Sequence, residues 1–341
     1  MTAVDPATPA TGDSPYLVVD DLTVRFPTHD GEVQAVTGLS YDVRAGRTLG
    51  IVGESGSGKS VAAMAILGLH DARRTRLSGS ITVGGTEVIG ASQATLKRIR
   101  GRKAAMVFQD PLTALHPFFT VGAQICEAYR LHHKVPKKSA RTRAAEMLDL
   151  VGIPNAARRL DDYPHQFSGG MRQRAMIAVA LVNNPSLLIA DEPTTALDVT
   201  VQAQILDLIQ ELQKEFGSAV ILITHDLGVI AEVADDIMVM YGGRCVERGS
   251  RGQVLTQPQM PYTWGLLGSV PDPEGDPNVP LVPIPGTPPS LLNPPPGCAF
   301  HPRCTYIADV AGDLCVQQLP ELRPSGSDGH LVRCHLESPR P

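Results

Sequence analysis

The sequence lacks an excess of positive charge, and it lacks a long hydrophobic run. Its 341 residues carry 30 Lys and Arg against 35 Asp and Glu, a formal net charge of −5. No basic field therefore indicates nucleic acid as a partner. No stretch approaches the roughly 18 uninterrupted apolar residues that a membrane-spanning helix needs, so we expect none.

The N-terminal residues also lack the charged and then apolar pattern of a secretory signal. Residues 1–15 are polar and rich in Pro, Thr and Ala, which predicts a short disordered lead. Without an export signal, the sequence favours a cytosolic location. The six cysteines are then not expected to form structural disulfides.

A glycine-rich loop between an apolar run and a helical pattern organises the rest of the chain. The loop fits the pattern G-x-x-x-x-G-K-[ST]. Residues 48–52 before it predict a strand, and residues 61–67 after it, beginning with Val61, predict a helix. A phosphate-binding loop needs both of these neighbours. Backbone N–H groups of such a loop cradle phosphate oxygens, a lysine reaches the β- and γ-phosphates, and a hydroxyl completes a Mg²⁺ shell. A glycine-rich turn formed by chance is the alternative. The eight residues of the loop are Gly53, Glu54, Ser55, Gly56, Ser57, Gly58, Lys59 and Ser60.

Polar residues follow three other apolar runs at the point where each predicted strand ends. Gln109 follows residues 104–108, Asp191 and Glu192 end the run that begins at 186, and His225 follows 219–224. Ligands of open α/β sheets bind at the carboxyl ends of the strands. We expect Asp191 to order the Mg²⁺ water shell, Glu192 to accept a proton from an attacking water, and His225 to contact the γ-phosphate.

Residues 167–174 read Phe-Ser-Gly-Gly-Met-Arg-Gln-Arg. Kinases, GTPases and helicases also have phosphate loops, but they do not have this segment. With this segment the chain resembles the ATPase subunits of ATP-binding cassette transporters over roughly residues 16–255. The resemblance implies ATP and Mg²⁺ as ligands and two such domains facing each other, with each nucleotide held between them. It also implies an α/β fold: a phosphate-loop core, an antiparallel β subdomain, and a helical subdomain at about 111–182.

The same resemblance assigns roles to individual residues. It implies adenine stacking by Phe26, catalysis by Lys59, Gln109, Glu192 and His225, and Mg²⁺ contacts from Ser60, Gln109 and Asp191. The signature residues would reach the nucleotide of the facing domain: Ser168, Gly169, Gly170 and Gln173. Asp198, in the segment Ala196-Leu197-Asp198, would form the loop beyond the second acidic motif. Without the resemblance, an isolated aromatic such as Phe26 is more readily interpreted as a core residue.

Within that family, the local sequence most resembles that of the importers of oligopeptides and dipeptides. Residues 109–117 and 163–167 carry this likeness, and His116 replaces an Asn that relatives often have there. The resemblance implies an identical or homologous ATPase partner, two permease subunits, and indirect work with a solute-binding protein. It implies a peripheral location on the cytoplasmic face of the membrane. A non-transport ATPase of the same superfamily is the alternative, although no coiled-coil insertion or duplicated cassette is present.

The C-terminal segment, residues 256–341, is predicted to be an extension with a proline-rich connector at 271–296. Four cysteines cluster beyond the connector without the close Cys-x-x-Cys pairs of zinc knuckles. Residues 297–304, Gly-Cys-Ala-Phe-His-Pro-Arg-Cys, resemble part of the C-terminal extension of peptide-importer ATPases. Some of those ATPases carry a [4Fe–4S] cluster. We therefore expect a [4Fe–4S] cluster, with Zn²⁺, unliganded thiols, a redox or metal sensor, and a plain docking extension as the alternatives. The four thiols are Cys298, Cys304, Cys315 and Cys334.

Overall fold

Strands and helices alternate along most of the chain, as the changing hydrophobic period of the sequence predicts. A computed structural model describes residues 14–195, 197–269, 283–326 and 328–337. Most of the predicted N-terminal lead, residue Ala196, and residues 271–282 of the predicted connector lie outside the described residues.

The strands in the described part of the chain are β1 (Leu17–Thr28), β2 (Gly31–Val43), β3 (Thr48–Val52), β4 (Arg76–Val83), β5 (Thr86–Glu87), β6 (Ala104–Val107), β7 (Leu187–Asp191), β8 (Ala219–Thr224), β9 (Asp236–Tyr241), β10 (Arg244–Ser250), β11 (Arg323–Pro324) and β12 (Leu331–Val332). The α-helices there are α1 (Lys59–Ile66), α2 (Gln93–Ile99), α3 (Pro111–Ala114), α4 (Val121–Arg130), α5 (Lys137–Leu150), α6 (Ala156–Arg159), α7 (Gly169–Leu181), α8 (Val199–Phe216), α9 (Leu227–Val233), α10 (Arg251–Thr256), α11 (Pro261–Gly268) and α12 (Leu314–Gln317).

These elements divide between two compact units, and the chain passes between the units at five points, the last of them within β8. The helical unit contains Met1–Leu17, Asp42–Arg47 and Thr82–Ile221. The loop unit contains Val18–Tyr41, Thr48–Ile81 and Leu222–Pro341.

The loop unit is built on two groups of strands. One has the order β2-β1-β4, and the other has the order β11-β12-β10-β9-β3. Strand β3 is parallel to β9, with Ile51 opposite Met238, and both side chains are almost completely buried. Strands β9 and β10 are an antiparallel pair joined at Gly242 and Gly243. A fully apolar β3 is what burial on both faces requires.

The helical unit combines a parallel strand pair with a block of helices. Strands β6 and β7 are parallel, with Met106 opposite Ile189. Helices α4 to α7 form this block, within the region of about 111–182 where the resemblance implies a helical subdomain. On α5 an apolar stripe, Ala144, Met147 and Leu148, is completely buried, which fits the 3.6-residue period of its sequence.

The C-terminal segment adds strands that the sequence did not predict. In the loop unit, β12 pairs with β10 in antiparallel register, with Val332 opposite Glu247, and β11 pairs with β12. Part of the predicted connector is also bonded to the unit, since the backbone N–H of Gln34 donates to the carbonyl of Leu291 at 2.8 Å. Among the described residues, no helix is long and apolar enough to cross a membrane.

Candidate nucleotide site

The predicted phosphate loop lies between β3 and α1 of the loop unit, in the order that the sequence indicated. Gly58 caps α1 with a left-handed backbone, φ +98°. A Cβ atom at this residue would collide with the carbonyl oxygen of Ala35, so only glycine fits. A Cβ at Gly53 would likewise collide with the carbonyl oxygen of Met240. The two glycines let the loop lie directly against its neighbouring backbone.

The polar atoms inside the loop form a set suited to phosphate. The ammonium group of Lys59 is almost buried, and it donates to the carbonyl oxygens of Gly53 at 2.7 Å and Glu54 at 3.1 Å. The buried hydroxyl of Ser57 has no hydrogen-bond partner in the described part of the chain. A buried polar atom without a partner is costly, and a bound oxyanion would satisfy it. These residues therefore fit a nucleotide phosphate, with Ser60 beside them at the start of α1.

Two further predicted site residues belong to the same unit. The ring of Phe26, partly exposed near the end of β1, makes an edge-on contact with His70 at a centroid distance of 5.7 Å. His225 is exposed directly after β8, and Asp226 next to it caps α9 by accepting from the N–H of Gly228 at 2.8 Å. Adenine stacking and γ-phosphate contact thus stay predictions for these two side chains.

The helical unit brings together the predicted catalytic residues that it contains. Asp191 ends β7 and is buried, and Glu192 follows with a left-handed backbone, φ +46°, which is uncommon for a residue with a side chain. The amide of Gln109 donates to the carboxylate of Glu192 at 3.0 Å, and the hydroxyl of Thr195 donates to the same oxygen at 2.9 Å. Thr195 was not singled out from the sequence.

The signature residues lie at the beginning of α7, where Ser168 and Gly169 are exposed and Gly170 is partly exposed. Ser168 is the N-cap, and its hydroxyl accepts from the N–H of Met171 at 3.3 Å. Gly169 and Gly170 supply the first turn, where backbone N–H groups have no partner within the helix. Gln173 is buried, and its amide nitrogen has no partner in the part of the chain that is described. Asp198 caps α8 by accepting from the N–H of Val201 at 3.0 Å.

The predicted site residues thus lie in two sets. Lys59, Ser60 and His225 belong to the loop unit, and Gln109, Asp191 and Glu192 belong to the helical unit together with the signature. A joint site formed by both sets stays a prediction.

Comparison with known families matches two parts of the sequence. Residues 36–195 match the family described as ABC transporter, and residues 246–310 match the oligopeptide/dipeptide transporter, C-terminal region. The dipeptide transport ATP-binding protein DppD of Bacillus subtilis is 50% identical over 327 residues, 95% of each chain. The oligopeptide transport ATP-binding protein OppD of the same organism is 48% identical over 324 residues, 95% of this chain and 89% of its own.

The chain belongs to the ATP-binding subunits of ABC transporters. A solved dimeric structure of the ATP-binding cassette MJ0796, in a post-hydrolysis state bound to ADP and Pi, supports the same conclusion. It covers 69% of this ABC ATPase and 98% of its own chain, with a TM-score of 0.62 and 26% identity. The predicted fold class, a phosphate-loop α/β core with an antiparallel β subdomain, is confirmed.

The expected metal site at the four C-terminal cysteines of this ABC ATPase is not supported. Among the described residues, no group of three or more His, Cys, Asp or Glu side chains is arranged to hold a metal ion. All six cysteines are free, and burial raises the pKa of the Cys298 thiol to about 12 and that of Cys304 to about 11.

Sequence reasoning also missed two side chains of the C-terminal segment that contact the phosphate loop. The hydroxyl of Tyr262 on α11 accepts from the N–H of Glu54 at 2.9 Å. The guanidinium of Arg303 binds the carboxylate of Glu54 through both of its terminal nitrogens. The sequence segment Phe-His-Pro-Arg-Cys at 300–304 singles out the region of the arginine, but it does not predict which residue the arginine binds.

Proposed function

We propose that this ABC ATPase drives import of peptides or similar solutes by binding and hydrolysing ATP in a nucleotide-sandwiched dimer. The observation that carries the proposal is the exposed start of α7, where Ser168 and two glycines present N–H groups on a different unit from the phosphate loop. A helix N-terminus with small residues accommodates an anionic group approached from outside. One loop and one signature per chain then require a second ATPase, identical or homologous.

Each functional side chain has a role that its surroundings support. Lys59, held at the mouth of the loop by two carbonyls, exchanges these for β- and γ-phosphate oxygens. Glu192, oriented by Gln109 and Thr195, accepts the proton of the water that attacks the γ-phosphate. His225 holds the γ-phosphate, and Phe26 stacks on adenine. Ser60, Gln109 and Asp191 would hold Mg²⁺, which would supply positive charge against the transferred phosphoryl group.

The names of its relatives support the peptide cargo that we propose, and the location is inferred from that cargo. The B. subtilis relatives are named for dipeptide and oligopeptide transport, and the C-terminal segment matches the corresponding region of such transporters. We infer two permease subunits as direct partners, with a solute-binding protein acting through them. The ATPase would then lie on the cytoplasmic face of the membrane as a peripheral subunit.

ATP-dependent dimerisation of the full chain tests the sandwich. In the Glu192→Gln background, which is expected to slow hydrolysis, MgATP should convert monomer to dimer in light scattering coupled to size exclusion. Ser168→Asp preserves the N-cap, because aspartate caps helices as well as serine does, but it places a negative charge against the γ-phosphate. We expect this variant to bind MgATP as a monomer and to form no dimer.

The matched control is Ser168→Asn, which keeps the cap and adds no charge. It should dimerise at least partly. Equal dimerisation of the Asp and Asn variants would contradict the proposed role of the signature. If the chain forms only mixed dimers, the same comparison is made with its homologous partner added.

A further inference from the structure

Glu54, the second residue of the phosphate loop, is held by contacts to its carboxylate, to its backbone N–H and to its backbone carbonyl. Arg303 binds its carboxylate with two hydrogen bonds, Nη1 to Oε2 at 2.6 Å and Nη2 to Oε1 at 3.0 Å. Tyr262 accepts from its N–H, and Lys59 donates to its carbonyl at 3.1 Å. Arg303 and Tyr262 both come from the segment after residue 255, so that segment determines the position of a loop residue.

The guanidinium of Arg303 is held in place by its own surroundings. It is 7% exposed, its Nε donates to the carbonyl of Pro285 at 2.7 Å, and its Nη1 also reaches the hydroxyl of Tyr241 at 3.2 Å. The rings of Tyr241 and Phe300 lie within 5.8 and 6.0 Å of it. A planar fork with all of these contacts can bind a carboxylate in only one orientation.

The arginine also connects the loop to the strand beside it. Tyr241 ends β9, the strand parallel to β3, and β3 leads directly into the loop. At Gly53 the loop already lies against the backbone of Met240 on β9. Arg303 therefore joins the loop, the end of β9, and the C-terminal segment at one buried point.

We propose that Arg303 is a positioning residue of the phosphate loop, through which the C-terminal extension sets the affinity for ATP. Holding Glu54 at its side chain and its peptide groups keeps the backbone N–H groups of the loop in the shape that receives phosphate. Loss of the arginine lets the loop relax, and binding then has to restore its order. The proposal rests on the proposed function, since it concerns the affinity of the same ATP site.

The experiment measures the dissociation constant of MgATP by calorimetry on the full chain, together with the thermal midpoint. Arg303→Met should weaken binding about tenfold, a coupling in the usual range between linked sites. Arg303→Lys keeps the charge without the fork and should lie between Met and wild type. Tyr262→Phe, a milder change that keeps the ring, should also weaken binding because the N–H of Glu54 loses its acceptor.

Arg333→Met is the matched control. Arg333 lies in the same extension, is partly buried, and donates to the carbonyls of Cys245 at 2.9 Å and Pro320 at 3.0 Å rather than to the loop. It should lower the thermal midpoint while leaving the dissociation constant within about twofold of wild type, below the usual range of coupling between linked sites. A purely structural role of Arg303 predicts that both Met variants affect ATP binding alike.

A double-mutant comparison separates direct coupling from general loosening. In Glu54→Gln the charge that Arg303 binds is absent, so adding Arg303→Met should weaken binding less than it does in the wild type. Additive effects, or an unchanged dissociation constant in Arg303→Met and Tyr262→Phe, would overturn this proposal alone. A wild-type chain without affinity for MgATP would contradict the proposed function, and this proposal with it.

Discussion

The side-chain amide of Gln109 donates to the carboxylate of Glu192 at 3.0 Å. The two residues are 83 positions apart, and each follows a strand of one parallel pair, β6 and β7. A carboxylate in this position, with one oxygen already accepting from Gln109 and Thr195, has its other oxygen oriented by the same contacts. That arrangement is what a general base for an attacking water requires.

Glu192→Gln should therefore retain MgATP binding and lose turnover. Replacing the carboxylate by an amide removes the proton acceptor while keeping nearly the same shape, so we expect phosphate release to fall by about 10²- to 10⁴-fold. Steady-state phosphate release and calorimetric ATP titration measure the two effects separately. Glu211→Gln on the exposed side of α8 is the control and should change neither. Undiminished phosphate release by Glu192→Gln would remove the catalytic assignment.

Two glycines of the phosphate loop should respond differently to alanine. Gly56 has φ +78° with open space around its missing Cβ, so Gly56→Ala should cost only the left-handed conformation, about 1–2 kcal/mol. Gly58→Ala adds a collision with the carbonyl of Ala35, so its total cost should reach at least about 3 kcal/mol. Urea unfolding of the two variants measures the difference. Equal destabilisation would show that the loop moves away from Ala35 at little cost.

How much the sequence predicts depends on how far apart the partners are along the chain. The phosphate loop and the cap of α7 were predictable because their residues act within a few positions of each other. Arg303 and Glu54 are 249 positions apart, and no periodicity or motif links them. The pairing of β12 with β10 escaped prediction for the same reason, since a two-residue strand has almost no pattern of its own.

The C-terminal thiols supply a prediction about pH. Burial raises the pKa of Cys298 to about 12, above the roughly 8.5 of an exposed thiol. At pH 8 only about one native thiol in 10⁴ would be ionised, against about one in four or five in the unfolded chain. Iodoacetamide should therefore alkylate Cys298 at least about 100 times more slowly in the native protein than in urea. Mass spectrometry of pulse-labelled peptides measures this ratio.

The sign of the stability effect follows from the same shift. Because the native state holds the Cys298 proton more tightly, its contribution to stability is complete below about pH 8.5 and is lost as the pH rises towards 12. In Cys298→Ser the thermal unfolding midpoint should therefore fall less steeply than in the wild type as the pH is raised above about 8.5. Metal analysis of the same samples is the cross-check: native protection that disappears with a chelator, together with stoichiometric iron or zinc, would restore the metal hypothesis.

A buried contact between a histidine and a carboxylate holds the C-terminal strands to β10. Glu247 is 0% exposed and its carboxylate receives hydrogen bonds from the N–H of Gln259 at 2.6 Å and of Met260 at 3.2 Å. The ring nitrogen Nε2 of His330, itself 1% exposed, lies 2.8 Å from the same carboxylate. Strand β12 begins directly after His330, so this contact joins the extension to β10 across 83 positions of the chain.

His330→Ala should destabilise the loop unit by about 3 kcal/mol, because it leaves a buried carboxylate without one of its partners. His335→Ala is the matched control, since His335 is partly exposed and its Nε2 lies 2.9 Å from the backbone carbonyl oxygen of Gln318 rather than against a buried carboxylate. It should cost less than about 1 kcal/mol. Hydrogen exchange should show faster opening of β10 and β12 in His330→Ala while α4 and α5 of the helical unit keep their protection. Uniform loss of protection across both units would mean that the pair stabilises the whole chain rather than the extension.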